Sequence, residues 1–98
     1  MLETIVKIEK AKAKHKKYTA TVKNKLTKKT RKVNFGDNRY ENFKDSTGLN
    51  LYKTHGDKKR RTNYFKRHSG VSKKSEAVKK EKTAGIYTPK LLSHMFLW

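Results

Sequence analysis

A chain of 98 residues supports one domain at most, since domains usually run to about 100 to 150 residues, and leaves room for only a small core. Its 27 lysines and arginines against 8 aspartates and glutamates give a net charge of +19, so a polyanion or an acidic protein surface is the default partner. Cysteine is absent, which excludes disulfides and thiolate zinc sites. The start MLETIVKIEKAK has no leader pattern and no run of about 18 apolar residues exists, so the expectation is a soluble chain, intracellular or packaged in a particle.

Ile5, Val6 and Ile8 are too irregularly spaced to fix a period, and a third strand beside the next two fits better than an isolated helix. From Lys16 to Asn24 the alternation is strict, with Tyr18, Ala20 and Val22 on one face and Lys17, Thr19, Thr21 and Lys23 on the other, a half-buried strand. Arg31, Val33 and Phe35 repeat the pattern against Thr30, Lys32 and Asn34, which predicts a hairpin. Two strands alone are marginal in water, so a three-stranded meander is predicted.

Asp37 to Asp57 mixes acids, Asn and Gly with Tyr40, Phe43 and Tyr52, the composition of an ordered loop whose rings dock on the sheet. A helix is predicted from Asp57 as N-cap to Gly70 as terminator, with Arg61, Tyr64, Phe65 and His68 in one stripe. Between Lys73 and Lys82 seven of ten residues are charged, which reads as a linker or an exposed helix. The last thirteen residues contain eight apolar ones, and Thr88 and Pro89 make an N-cap and N1 pair. The expected layout is α+β: a basic β-meander plus helix over 1–70, a charged connector over 71–83, and an apolar C-terminal helix over 84–98, all in one domain.

The candidate anion- or partner-binding residues are Lys58, Lys59, Arg60, Arg61, Lys66 and Arg67, extended by Lys28, Lys29, Arg31 and Lys32 on the hairpin. Cations interleaved with Tyr64 and Phe65 suit a surface that tracks phosphates and stacks bases, while the plainer alternative is a solvated face with both rings in the core. Lysine as a point charge favours bulk neutralisation over reading base edges, so any nucleic acid would be bound without sequence preference. The apolar end, Leu91, Leu92, Met95, Phe96, Leu97 and Trp98, is the candidate hydrophobic interface. His15, His55, His68 and His94 lack ligand spacing, so no metal and no cofactor is expected. No nucleophile motif or carboxylate pair is present, and no enzyme is indicated.

KKYTATVKN, KVNFGDNRYENF, YKTHGDKKRRTNYFKRH, TAG and a closing LW together resemble a family of small basic proteins encoded by large nucleocytoplasmic DNA viruses. Phe35, Gly36, Tyr40, Phe43, Thr54, His55, Asp57, Arg60, Arg61, Tyr64, Arg67, His68, Thr83, Ala84, Gly85, Leu97 and Trp98 carry the likeness, while Arg39 stands where the family has glycine. The resemblance implies a virion protein assembled in the host cytoplasm. On it, the expected function is that of a minor capsid or other virion structural protein held by contacts to larger virion proteins. The alternative is a nonspecific nucleic-acid-binding protein, for genome packaging or as a ribosomal-type component. Contact with an internal membrane surface is the third possibility, through the apolar helix and its lysine rim.

Overall fold

A computed structural model describes residues 1–98. Three strands, β1 (Glu3–Lys10), β2 (Lys16–Asn24) and β3 (Thr30–Asp37), precede three helices, α1 (Lys58–Ser69), α2 (Lys74–Lys82) and α3 (Pro89–Phe96). The strands form one antiparallel sheet in the order β1-β2-β3. The α+β arrangement is thus the one the alternation of apolar residues predicts.

Tyr18, Ala20 and Val22 are fully buried on the central strand, with Phe35 and Val33 registered beside Tyr18 and Ala20 on β3. β1 explains its own irregular spacing. Its register to β2 shifts between Ile5 and Lys7, a bulge in which Val6 is the extra residue and is left largely exposed. One added residue reverses the inward and outward sense of every later position on the strand, so Ile5 and Ile8 both reach the core margin.

The helices supply the other layer. Asp57 accepts from the backbone N–H groups of Lys59 and Arg60, and Gly70 closes α1 in the left-handed conformation. Tyr64 and Phe65 are buried, edge to face with ring centroids 5.2 Å apart. Within the charged connector of 71–83, read as a linker or an exposed helix, Lys74–Lys82 form a helix that packs onto the core: Ala77 is fully buried in the core cluster, and Lys80 Nζ donates to the Ser69 carbonyl at 2.8 Å. The two apolar residues in that charged run suffice because a small side chain lets α2 approach closely. No helix is long and apolar enough to cross a membrane.

The apolar end also needs correction as a free interface. Thr88 caps α3 through its hydroxyl, which accepts from the Leu91 N–H at 3.1 Å, with Pro89 opening the helix. Leu91, Leu92, Leu97 and Trp98 are then buried within this chain, while Met95 and Phe96 are half-buried. The physical reason is scarcity. Each fully buried large apolar side chain contributes about 1.5–3 kcal/mol, and a chain with so few of them stabilises its own sheet face before it offers any to a neighbour.

The closing residues pair with the long loop: Lys44 N–H donates to the Leu97 carbonyl at 3.1 Å and Ser46 N–H to that of Phe96 at 2.8 Å. Phe43 and Tyr52 pack against the core, as expected of loop rings, but Tyr40 does not and is 67% exposed. Lys17 departs from the outer face assigned to it. It is 2% exposed and its ammonium donates to the Asn42 side chain carbonyl, and burial lowers its pKa against the opposing pull of Asp45, Asp37 and Glu41. Gly36 at φ +77° makes this junction possible, because a Cβ there would lie 2.8 Å from Leu97 Cδ1 and 3.1 Å from Lys17 Cβ.

Candidate nucleic-acid interface

The end of the sheet, the loop after β3, α1 and the start of α3 enclose a groove of about 710 Å³. Helical spacing explains α1's contribution: Arg60, Tyr64 and Arg67 stand at i, i+4 and i+7, so two guanidinium groups flank a ring on one face. Tyr64 stacks in parallel on Trp98, with centroids 4.1 Å apart and planes 5° apart, and His55 lies on Trp98 at 5.3 Å. Tyr64 and Trp98 form the floor, and His55 packs on Trp98 from outside the lining. Lys16 at the start of β2 and Lys90 in the first turn of α3 complete the cationic lining.

The charge balance within the groove is one-sided. Ion pairs in the molecule join Lys7 and Lys32 to Glu9, Arg31 to Glu3, and Arg39 to Asp37. Lys16, Arg60, Arg67 and Lys90 belong to none of them. Of the two acids on the lining, Asp37 is held by Arg39 at 2.7 Å, which keeps its carboxyl far below the usual carboxylate range, and Glu41 alone is left to oppose four cations. His68 titrates below its ordinary value because of burial and then the charges of Arg67 and Lys90. The two cations add to the effect of burial on this ring at the edge of the groove.

Of the other residues that sequence pattern singles out, Lys58, Lys59 and Lys66 are exposed on α1, and Lys28 and Lys29 on the β2–β3 turn. Arg31 is not a free anion contact. Its guanidinium binds Glu3 through two hydrogen bonds of 2.7 and 2.8 Å and donates to the Tyr87 carbonyl at 2.7 Å, and this ion pair holds the Glu3 carboxyl below its usual pKa. Lys32 is exposed and 3.8 Å from Glu9. Arg61 is half-buried with its guanidinium 4.4 Å from the centre of the Phe43 ring, in the neighbourhood of Lys44 and Lys74. Burial, then the nearby Lys44 ammonium and the Arg61 charge, bring Lys74 down to about 8. Lys16, Tyr40 and Lys90 are the groove residues that sequence reasoning missed as site residues, because only the fold brings three distant segments together.

His94 lies off the groove lining. It is fully buried, with Tyr64 Oη 2.8 Å from Nδ1 and Ser69 Oγ 2.7 Å from Nε2. The Ser69 hydroxyl donates onward to Glu81 at 3.2 Å. One proton arrangement satisfies the chain: Tyr64 donates to Nδ1, Nε2–H donates to Ser69, and Ser69 donates to Glu81. Burial is the main cause that takes His94 down to about 4, so the ring is neutral and bridges α1, α2 and α3. Ser69 is 4% exposed and does not line the groove, so this Ser–His contact joins helices. No group of three or more His, Asp or Glu is placed to hold a metal ion.

Fold and groove together define a small basic α+β protein with a cationic, aromatic-floored cleft. Residues 6–68 match the profile described as a family of unknown function (DUF5754), and the chain belongs to that family. No curated protein and no solved structure matches it significantly. The matched segment carries Lys16, Tyr40, Arg60, Arg67 and His68 and stops before α2 and α3, which add Lys90 and Trp98 to the groove.

Proposed function

We propose that this protein binds nucleic acid without reading its sequence, with the groove at the centre of the contact. The observation that carries this reading is the set of four cations, Lys16, Arg60, Arg67 and Lys90, held around a ring-lined cleft with no ion-pair partner. Such like charges repel, and phosphates neutralise them while releasing counterions. In the setting implied by the likeness to small basic proteins of large DNA viruses, the polyanion is the viral genome and the role is packaging in the virion.

A second reading, a minor capsid or other virion structural protein, is favoured by a different surface. Met1, Leu2, Leu26 and Ile86 are 40, 50, 79 and 40% exposed. Hydrogen bonds from Leu2 N–H to the Gly85 carbonyl and from Lys25 N–H to the Leu2 carbonyl, both 2.8 Å, bring their segments together. This patch, rather than Leu91 to Trp98, offers a larger virion protein an exposed apolar surface.

The test is binding of a labelled mixed-sequence oligonucleotide by anisotropy across salt. Four phosphate contacts give an affinity loss between about 50 and 200 mM salt of about fifty-fold for a single strand and about 150-fold for a duplex. Paired Arg60→Gln and Arg67→Gln substitutions lower both affinity and salt slope more than Lys28→Gln with Lys29→Gln. Absence of binding at the lowest salt, or equal losses from the two pairs, overturns the proposal.

A further inference from the structure

We infer that the groove accepts a single strand in preference to a duplex, with one unstacked base laid on Tyr40 and its flanking phosphates on Arg60 and Arg67. This rests on the groove being the nucleic-acid interface, and adds which form of nucleic acid enters it. The volume of about 710 Å³ falls in the range of roughly 300–1,000 Å³ that encloses a small organic ligand, about one or two nucleotides. A duplex keeps its bases stacked inside and can meet only the rim, whereas a single strand turns a base outward onto a ring.

Tyr40 is the ring placed for that role. Tyr64 and Trp98 lie at the floor, 8 and 9% exposed and already stacked on each other. Tyr40 stands 67% exposed on the same lining, and its hydroxyl has no partner within the protein. One cation stands near the ring. The Arg39 guanidinium lies 5.9 Å from the ring centre and is itself bound to Asp37 through hydrogen bonds of 3.0 and 2.7 Å. Across from it, Arg60 and Arg67 are separated by seven residues of helix, a rise of about 10 Å, within side-chain reach of the two phosphates of one splayed nucleotide. Glu41 beside Tyr40 on the lining is the one uncompensated acid, an acceptor for the amino and imino donors of a base edge.

Two built-in reporters make the test direct. Trp98 is the sole tryptophan and lines the groove, so a base entering it changes tryptophan fluorescence. Phosphates on Arg67 and Lys90 reduce the repulsion felt by His68, so its titration, followed by NMR, moves upward on binding. The full-length protein is titrated with a mixed-sequence single strand of about ten nucleotides and with the matching duplex at about 0.15 M salt, alongside Tyr40→Ala and Tyr40→Phe. The single strand is expected to bind more tightly and to quench Trp98. Tyr40→Ala is expected to lower single-strand affinity about five-fold or more, the size of a lost base–ring stack, with duplex affinity unchanged and Tyr40→Phe close to the original. Unchanged single-strand affinity in Tyr40→Ala, or quenching by the duplex as strong as by the single strand, overturns the inference while leaving nucleic-acid binding in place. Failure of both nucleic acids to bind removes the inference and the reading beneath it together.

Discussion

The apolar C-terminal segment and the basic stretch from Lys58 to Arg67 carry the strongest signals in the sequence, and the fold assigns them opposite destinations. Leu91, Leu92, Leu97 and Trp98 turn inward and close the chain's own core, while α1 commits only Tyr64, Phe65 and Ser69 to the interior and leaves most of its cations outside. In a chain this short, greasy residues are too few to serve both folding and a partner. Charge is what remains for the outside, and most surface charge adds little to stability. The groove differs from the equally basic β2–β3 turn in having cations fixed by three elements around rings, whereas Lys28 and Lys29 sit on an exposed turn.

The largest effect that can break this contrast lies in the core. Leu92→Ala should destabilise the isolated protein by about 2–5 kcal/mol and Trp98→Ala by about 3–5 kcal/mol, the usual ranges for emptying a packed large-residue site. Chemical denaturation of the protein alone reads this out. If either variant melts like the parent, the C-terminal segment is not part of the protein's own core, and its assignment to a partner returns.

Acid should come next. His94 is neutral when folded, at about 4 against an ordinary 6.5, so the unfolded chain takes up the proton first. Its contribution is complete above about pH 6.5 and disappears as pH falls towards 4, amounting to about 2–3 kcal/mol. Glu3 and Asp45 act in a lower window. Arg31 lowers Glu3, and in Asp45 hydrogen bonds from Thr47 and Tyr18 outweigh burial, so their contributions persist above the usual carboxylate range and fade below it. His94→Gln should be less stable at neutral pH and should lose most of the parent's slope between about pH 6.5 and 4.5 when stability is followed by urea melts, keeping only the part due to His55 and His68, whose pKa values are also lowered. A slope equal to the parent's in that window places the titrating group elsewhere.

Part of this arrangement is legible in the residues alone. Strict alternation at Tyr18, Ala20 and Val22, and the cap residues Asp57, Gly70, Thr88 and Pro89, are local signals, and the elements they mark are present. The bulge at Val6 is visible only as a broken period, because pairing with β2 decides which neighbour is the extra one. Lys17 and Arg31 read as surface charge, yet Asn42 and Glu3 lie 25 and 28 residues away in sequence, distances no local pattern spans. The groove is equally non-local: Arg60 and Arg67 stand out in the basic stretch, but Lys16 and Lys90 each look like one more cation among 27 lysines and arginines.

Smaller in stability, and sharper for function, are the paired substitutions on the two basic regions. Arg60 and Arg67 make no ion pair, so Arg60→Gln with Arg67→Gln should leave stability within about 0.5 kcal/mol of the parent. Removing two phosphate contacts should nonetheless lower the single-strand salt slope by about 1.4. Lys28→Gln with Lys29→Gln removes the same formal charge from an exposed turn and should also leave stability unchanged. Its effect on the salt slope should be the smaller, since charges outside the contact act only through the screened field beyond a Debye length of about 8 Å at physiological salt. The two double variants have equal net charge, so any difference between them measures position alone. Indistinguishable slopes would mean that the groove is simply one part of an evenly cationic surface.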